Sequence, residues 1–127
     1  MTRTLRRTIA ALTLTAAALL AGGCTPAQVG LFRAVTAEHA DVLSDDQLYA
    51  LRRCESGDDY SVVSARGTFH GAYQFTVRTW DDLAARTYPW LEGRDPASVE
   101  PWWQDAMARA LYAERGREPW PVCGRRL

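Results

Sequence analysis

Residues 44–57 carry both ends of a helix in their own sequence, and they restrict the fold more than any other stretch. Ser44-Asp45-Asp46-Gln47 is a capping box, in which the serine hydroxyl and the glutamine amide each satisfy one free backbone N–H of a first helical turn. Leu48, Leu51 and Cys54 follow at helical spacing, and Gly57 suits the left-handed residue that closes a helix. The stretch predicts a helix over 44–56 with one apolar face, which has to be buried against another element. A second periodicity supplies the partner. Trp103, Ala106, Met107, Ala110 and Leu111 fall at i, i+3, i+4, i+7 and i+8, with Pro101 suited to the first turn and Gly116 to the stop, so a helix is expected over 101–115. Thr76 caps a third over 77–86, whose core face is Val77, Trp80, Leu83 and Ala84.

The first residues read as a targeting segment. Arg3, Arg6 and Arg7 precede an apolar run, Ile9 to Leu20, that is shorter than the ~20 residues a membrane span takes. Residues 1–23 are therefore assigned to a signal peptide. Leu20-Ala21-Gly22-Gly23-Cys24 resembles a bacterial lipobox, in which the cysteine is acylated and becomes the mature N-terminus. Ordinary cleavage before Cys24 and full secretion is the alternative, and both place the chain outside the cytoplasm. Lipid on Cys24 would leave two of the three cysteines, Cys54 and Cys123, either to pair in an oxidising compartment or to stay as buried thiols. A bridge would close a loop of about 70 residues, worth on the order of 4 kcal/mol in chain entropy, and would tie the helix over 44–56 to the C-terminus.

Between these landmarks the signals are weaker. Residues 24–43 read as a tether or spacer, with a short helix the alternative where Leu31, Phe32 and Val35 fall. Residues 57–75 mix turn residues with β-favouring Tyr60, Val62, Val63, Tyr73 and Phe75, and predict a short irregular hairpin crossing in front of Glu55. Residues 87–99 form a loop punctuated by Pro89, Gly93 and Pro96, and the prolines at 119 and 121 predict an extended tail ending in a frayed terminus. The expected architecture is one α+β domain over 44–124, mostly α, with a short β-hairpin and one disulfide. Fifteen basic and fifteen acidic residues cancel, so nothing in the charge predicts nucleic acid as a partner. His39 and His70 are too scattered for a metal site, and no metal or other cofactor is expected. Of the five tryptophans, Trp80, Trp102 and Trp103 read as core, while Trp120 could stack on a sugar ring or cap the core.

Glu55 concentrates the chemistry. It sits in the last turn of its helix, close to the apolar stripe. The negative end of the helix dipole and partial desolvation both favour a protonated carboxyl. A carboxylic acid held protonated near neutral pH is what glycosidic cleavage requires of its general acid. The bland alternative is a solvated residue at a helix end. A hydrolase normally adds a second carboxylate, for which Asp58 and Asp59 are the nearest candidates, although acidic residues in turns commonly cap loops.

Five blocks in order, Cys54-Glu55-Ser56-Gly57, His70-Gly71-Ala72-Tyr73-Gln74-Phe75, Thr79-Trp80, Gln104, and Trp120-Pro121-Val122-Cys123-Gly124, resemble the catalytic domain of the resuscitation-promoting factors. The resemblance covers residues 43–124. It implies a small lysozyme-like fold that cleaves the β-1,4 bond between N-acetylmuramic acid and N-acetylglucosamine in peptidoglycan, as a lytic transglycosylase or a muramidase. It assigns Glu55 as acid/base, places Tyr73, Gln74, Thr79, Gln104 and Trp120 along the glycan groove, and pairs Cys54 with Cys123. The implied partner is the glycan strand, met by a monomer whose one membrane contact is the possible lipid on Cys24. The chain departs from the family pattern where Asp58-Asp59-Tyr60 replaces Gly-Asn-Trp and where Ala72-Tyr73 replaces Gly-Leu. The competing function is a non-catalytic glycan-binding or signalling lipoprotein of the same fold.

Overall fold

The computed structural model describes Gly23 and residues 25–127; the signal-peptide and Cys24 expectations lie outside the described residues, apart from Gly23. Four α-helices frame the structure: α1 (Pro26–Thr36), α2 (Asp45–Glu55), α3 (Val77–Thr87) and α4 (Pro101–Arg115). Among the described residues no helix is long and apolar enough to cross a membrane.

The expected caps are in place. The Ser44 hydroxyl accepts from the Gln47 amide N–H while the Gln47 side chain accepts from the Ser44 N–H at 2.9 Å, so α2 starts with two otherwise free donors satisfied. The Thr76 hydroxyl accepts from the Thr79 N–H at 3.1 Å at the start of α3. Pro101 occupies the first turn of α4, and Gly116, at φ +58°, takes the left-handed position that ends it.

The core lies where α2, α3 and α4 meet. Leu48 and Leu51 enter it from α2, Trp80 and Leu83 from α3, and Met107 and Leu111 from α4, all buried. Full burial of a side chain of this size stabilises by about 1.5–3 kcal/mol, and this shared layer is the main reason the helices hold. The Phe75 ring meets Trp80 edge-on at 5.2 Å, and the Trp80 indole N–H donates to the Leu91 carbonyl at 3.0 Å, so a large ring is buried without stranding its polar atom.

Several features differ from the sequence expectation, and one of them is Val77, which is 44% exposed at the start of α3 and not part of its core face. The hairpin is absent from the described residues: segment 57–75 makes two isolated antiparallel bridges, Val63 with His70 and His70 with Phe75. Left-handed residues at Gly67, Gly71 and Gln74 turn the backbone every few residues, which leaves no run long enough to extend a ladder. Nor is the tail extended, because the chain turns at Trp120 and Cys123–Arg126 forms a 3-10 helix, with the Gly124 N–H bonded to the Trp120 carbonyl at 2.8 Å. Leu127 packs on the core instead of fraying. Trp102 is exposed, since it lies on α4 beside the buried stripe and not within it.

Residues 26–36, read as part of a tether or spacer, are helical. Thr25 and Gln28 form a capping box like that of α2, and Phe32 meets Trp103 edge-on at 5.1 Å. Cys54 and Cys123 are joined in a disulfide with Cα atoms 5.6 Å apart, fastening the end of α2 to the C-terminal 3-10 helix.

Candidate active site

Glu55 is the last residue of α2, directly after the bridged Cys54. The Arg52 carbonyl closes the helix behind it, accepting from the Ser56 N–H at 2.9 Å, the Ser56 hydroxyl at 3.1 Å and the Asp58 N–H at 3.2 Å. Gly57 and Asp58 are both left-handed, at φ +73° and +72°. That pair swings the chain away from the helix axis at once, so Glu55 stands at a corner, half-buried. Burial pushes its carboxyl above the ordinary carboxylate range.

A cation one turn upstream could reverse that shift, and the structure keeps it occupied. The Arg52 side chain, only 14% exposed, donates through Nε to Asp58 at 2.7 Å and through Nη1 to the Tyr73 hydroxyl at 3.1 Å, and lies 3.4 Å from Asp105. Its guanidinium sits over the Tyr60 ring at 5.2 Å. Asp105, on α4, also accepts from the Tyr60 and Tyr73 hydroxyls at 2.7 and 2.5 Å. Burial disfavours the charge on Arg52, but its bonds to Asp58 and Tyr73 and the field of Asp105 hold it firmly protonated. Among the described residues Glu55 has no ion-pair partner.

Neither nearby carboxylate is free in the same way. Asp58 is committed to Arg52. Asp59 accepts from the Ser61 hydroxyl at 2.7 Å and the Ser61 N–H at 2.8 Å, a turn-capping role that lowers its pKa.

The five expected groove residues divide into two groups. Tyr73, Gln74, Thr79 and Trp120 line one pocket of about 220 Å³, whose rim includes Arg115 and Glu118, ion-paired at 2.6 Å. Gln74 and Thr79 present partly exposed side chains to it. Tyr73 is fully buried and Trp120 is 3% exposed, so each contributes little more than an edge. The Trp120 indole N–H donates to the Tyr73 carbonyl at 3.0 Å, making Trp120 a strut behind the pocket wall. Gln74 is left-handed at φ +52°, and its side-chain amide donates to the Gly71 carbonyl at 3.0 Å, which closes its own turn.

Gln104 and Glu55 are not among the lining residues. Gln104 is fully buried. Its Oε1 accepts from the Ala72 N–H at 2.9 Å, and its Nε2 donates to the Val99 carbonyl at 2.9 Å and the Tyr60 carbonyl at 3.0 Å. One amide thus holds three loops together and uses both its donors in doing so. Gly71 makes that approach possible: it is left-handed at φ +75°, and a Cβ there would stand 2.3 Å from Gln104 Oε1.

The profile of the "Transglycosylase-like domain" family matches residues 43–123. The chain belongs to that family. Among curated proteins, this transglycosylase-like chain is 32% identical over 81 residues to "Probable transglycosylase SceD" of Staphylococcus carnosus, covering 64% of this chain and 34% of that protein. It is 34% identical over 91 residues to "Resuscitation-promoting factor RpfA" of Mycobacterium tuberculosis, covering 72% and 21%. It is 28% identical over 101 residues to "Resuscitation-promoting factor Rpf1" of Corynebacterium glutamicum, covering 77% and 48%. The matched region therefore spans about a fifth to a half of these relatives' lengths.

The transglycosylase-like domain also contains a cluster that sequence reading missed: Arg52, Asp58, Tyr60, Tyr73 and Asp105. Three of these, Asp58, Tyr60 and Tyr73, stand where the chain departs from the resuscitation-promoting-factor pattern. The departures meet around one guanidinium, which is the signal that could have joined them.

Proposed function

We propose that the domain is a lysozyme-like peptidoglycan-cleaving enzyme of the lytic transglycosylase or muramidase type, with Glu55 as general acid and base. The observation that carries the reading is the half-buried Glu55 carboxyl, raised by desolvation and lacking an ion-pair partner among the described residues. A raised carboxyl retains its proton at a pH where an exposed glutamate has lost it, so it can deliver that proton to the glycosidic oxygen as the bond to muramic C1 breaks.

Positive charge then develops at C1. The carboxylate left on Glu55 stabilises it and takes the proton of the attacking group. When the attacker is the 6-hydroxyl of the same muramic residue, C1–O6 forms and a 1,6-anhydro end results. When it is water, a reducing end results. The commitment of Asp58 to Arg52 and of Asp59 to its own turn supports the first course, since neither is placed as a free second base. Gln74 and Thr79 are proposed as glycan contacts, with Tyr73, Trp120 and Gln104 shaping the pocket and its surroundings from behind. The substrate, peptidoglycan, and an extracytoplasmic site of action follow from the family reading together with the leader-like N-terminus. Glu55→Gln tests the assignment: soluble glycan products should vanish while the folded state persists.

A further inference from the structure

A second depression, of about 690 Å³, shares no lining residue with the pocket at Gln74 and Thr79. Val29, Leu31 and Phe32 of α1 form one wall, and Trp90, Trp102 and Trp103 form the other. Leu31 is 66% exposed, Trp90 51% and Trp102 42%. Two of the three indoles are braced, with Trp103 edge-on to Phe32 at 5.1 Å and to Trp90 at 5.4 Å. A rigid, contiguous apolar surface of this kind is costly to leave in water and marks a contact site. Tryptophan, apolar in body and polar at one edge, favours the water–membrane boundary.

The position of Cys24 selects the occupant. Thr25 is the N-cap of α1, so only the Thr25 residue separates Cys24 from the helix at Pro26. Two residue steps span at most about 7 Å. If Cys24 carries lipid, as the lipobox reading holds, no linker remains between the bilayer and α1, and the end of the domain that bears this depression is held at the headgroup layer. We propose that the Leu31–Trp90–Trp102 face rests in the phospholipid interface of the acylated protein. The domain would then be fixed in orientation, and its reach confined to glycan strands lying next to the membrane. Removal of residues 1–23 takes Arg3, Arg6 and Arg7 with it and leaves 12 basic against 15 acidic residues, a net charge of −3, so charge supplies no attraction to an anionic bilayer and the contact is apolar in character.

The inference rests on acylation of Cys24 and not on the cleavage chemistry. The test uses the full chain produced in a host that processes lipoproteins. Its mature mass is measured first, and it is then reconstituted into phosphatidylethanolamine–phosphatidylglycerol vesicles with brominated acyl chains, which quench nearby tryptophan. The expected result is an acylated protein whose fluorescence is quenched severalfold more than in unbrominated vesicles, with no loss of quenching in high salt. Glu55→Gln should be quenched equally, and Leu31→Asp, at an exposed position that keeps every tryptophan, should lose most of the effect. Acylated protein with no quenching, or quenching that Leu31→Asp leaves intact, overturns the proposed contact. An unmodified Cys24 overturns it through its premise, whether or not the protein degrades peptidoglycan.

Discussion

Gln104→Met is the substitution that best separates scaffold from groove. The thioether fills nearly the same volume along the same unbranched path, so little cavity is created. Three hydrogen bonds disappear. The Ala72 N–H and the Val99 carbonyl are left unsatisfied in the buried interior, at about 1–3 kcal/mol each. The Tyr60 carbonyl, partly buried, recovers some water and costs about 1 kcal/mol or less. Together these place the loss at about 2–7 kcal/mol, centred near ~4 kcal/mol, a large share of the ~5–15 kcal/mol by which small domains are stable. For a domain of this size each kcal/mol shifts the melting temperature by about 4–8 °C, so the midpoint should fall by on the order of 15–30 °C. Circular dichroism melts of wild type and variant, with the disulfide intact, read this directly. A variant that melts with the wild type yet no longer cleaves glycan would refute the reasoning and make Gln104 a substrate ligand.

Three further outcomes follow from the same contacts. Gly71→Ala combines a left-handed φ with a Cβ 2.3 Å from Gln104 Oε1, whereas Gly67→Ala meets the same strain in open space, so thermal unfolding should show Gly67→Ala costing about 1 kcal/mol and Gly71→Ala distinctly more. Replacing Cys54 and Cys123 by alanine should cost on the order of 4 kcal/mol by denaturant titration, because the bridge closes a 69-residue separation. A carboxyl raised on folding destabilises once pH exceeds its unfolded value, so Glu55→Gln should be indistinguishable from wild type in stability below the ordinary carboxylate range and more stable above the raised value; unfolding midpoints across pH check the sign. The same raised proton places the alkaline fall in glycan cleavage by the wild type above the ordinary glutamate range.

What was legible in the sequence was local. Helices α2, α3 and α4 announced themselves because cap, stripe and stop all fall within single short stretches, as Ser44, Leu48 and Gly57 do. Helix α1 carries the same kind of box in Thr25-Pro26-Ala27-Gln28, yet its stripe buries no residue, so periodicity had little to report. The hairpin failed as a reading because β-favouring side chains at Tyr60, Val63 and Tyr73 say nothing about left-handed backbone at Gly71 and Gln74. Gln104 reads as a polar residue near a helix start, and only the approach of residues 60, 72 and 99 turns it into a buried clamp. The Arg52 cluster was illegible for the same reason, since Asp105 lies 53 residues from Arg52. Glu55 stood out because its helix position and its flanking cysteine are both written locally.

Mass spectrometry of the soluble products released from peptidoglycan by the mature protein and by Glu55→Gln tests the central claim most directly. The account predicts glycan fragments ending in 1,6-anhydro-muramic acid from the wild type and none from the variant. Cleavage that survives Glu55→Gln would contradict it.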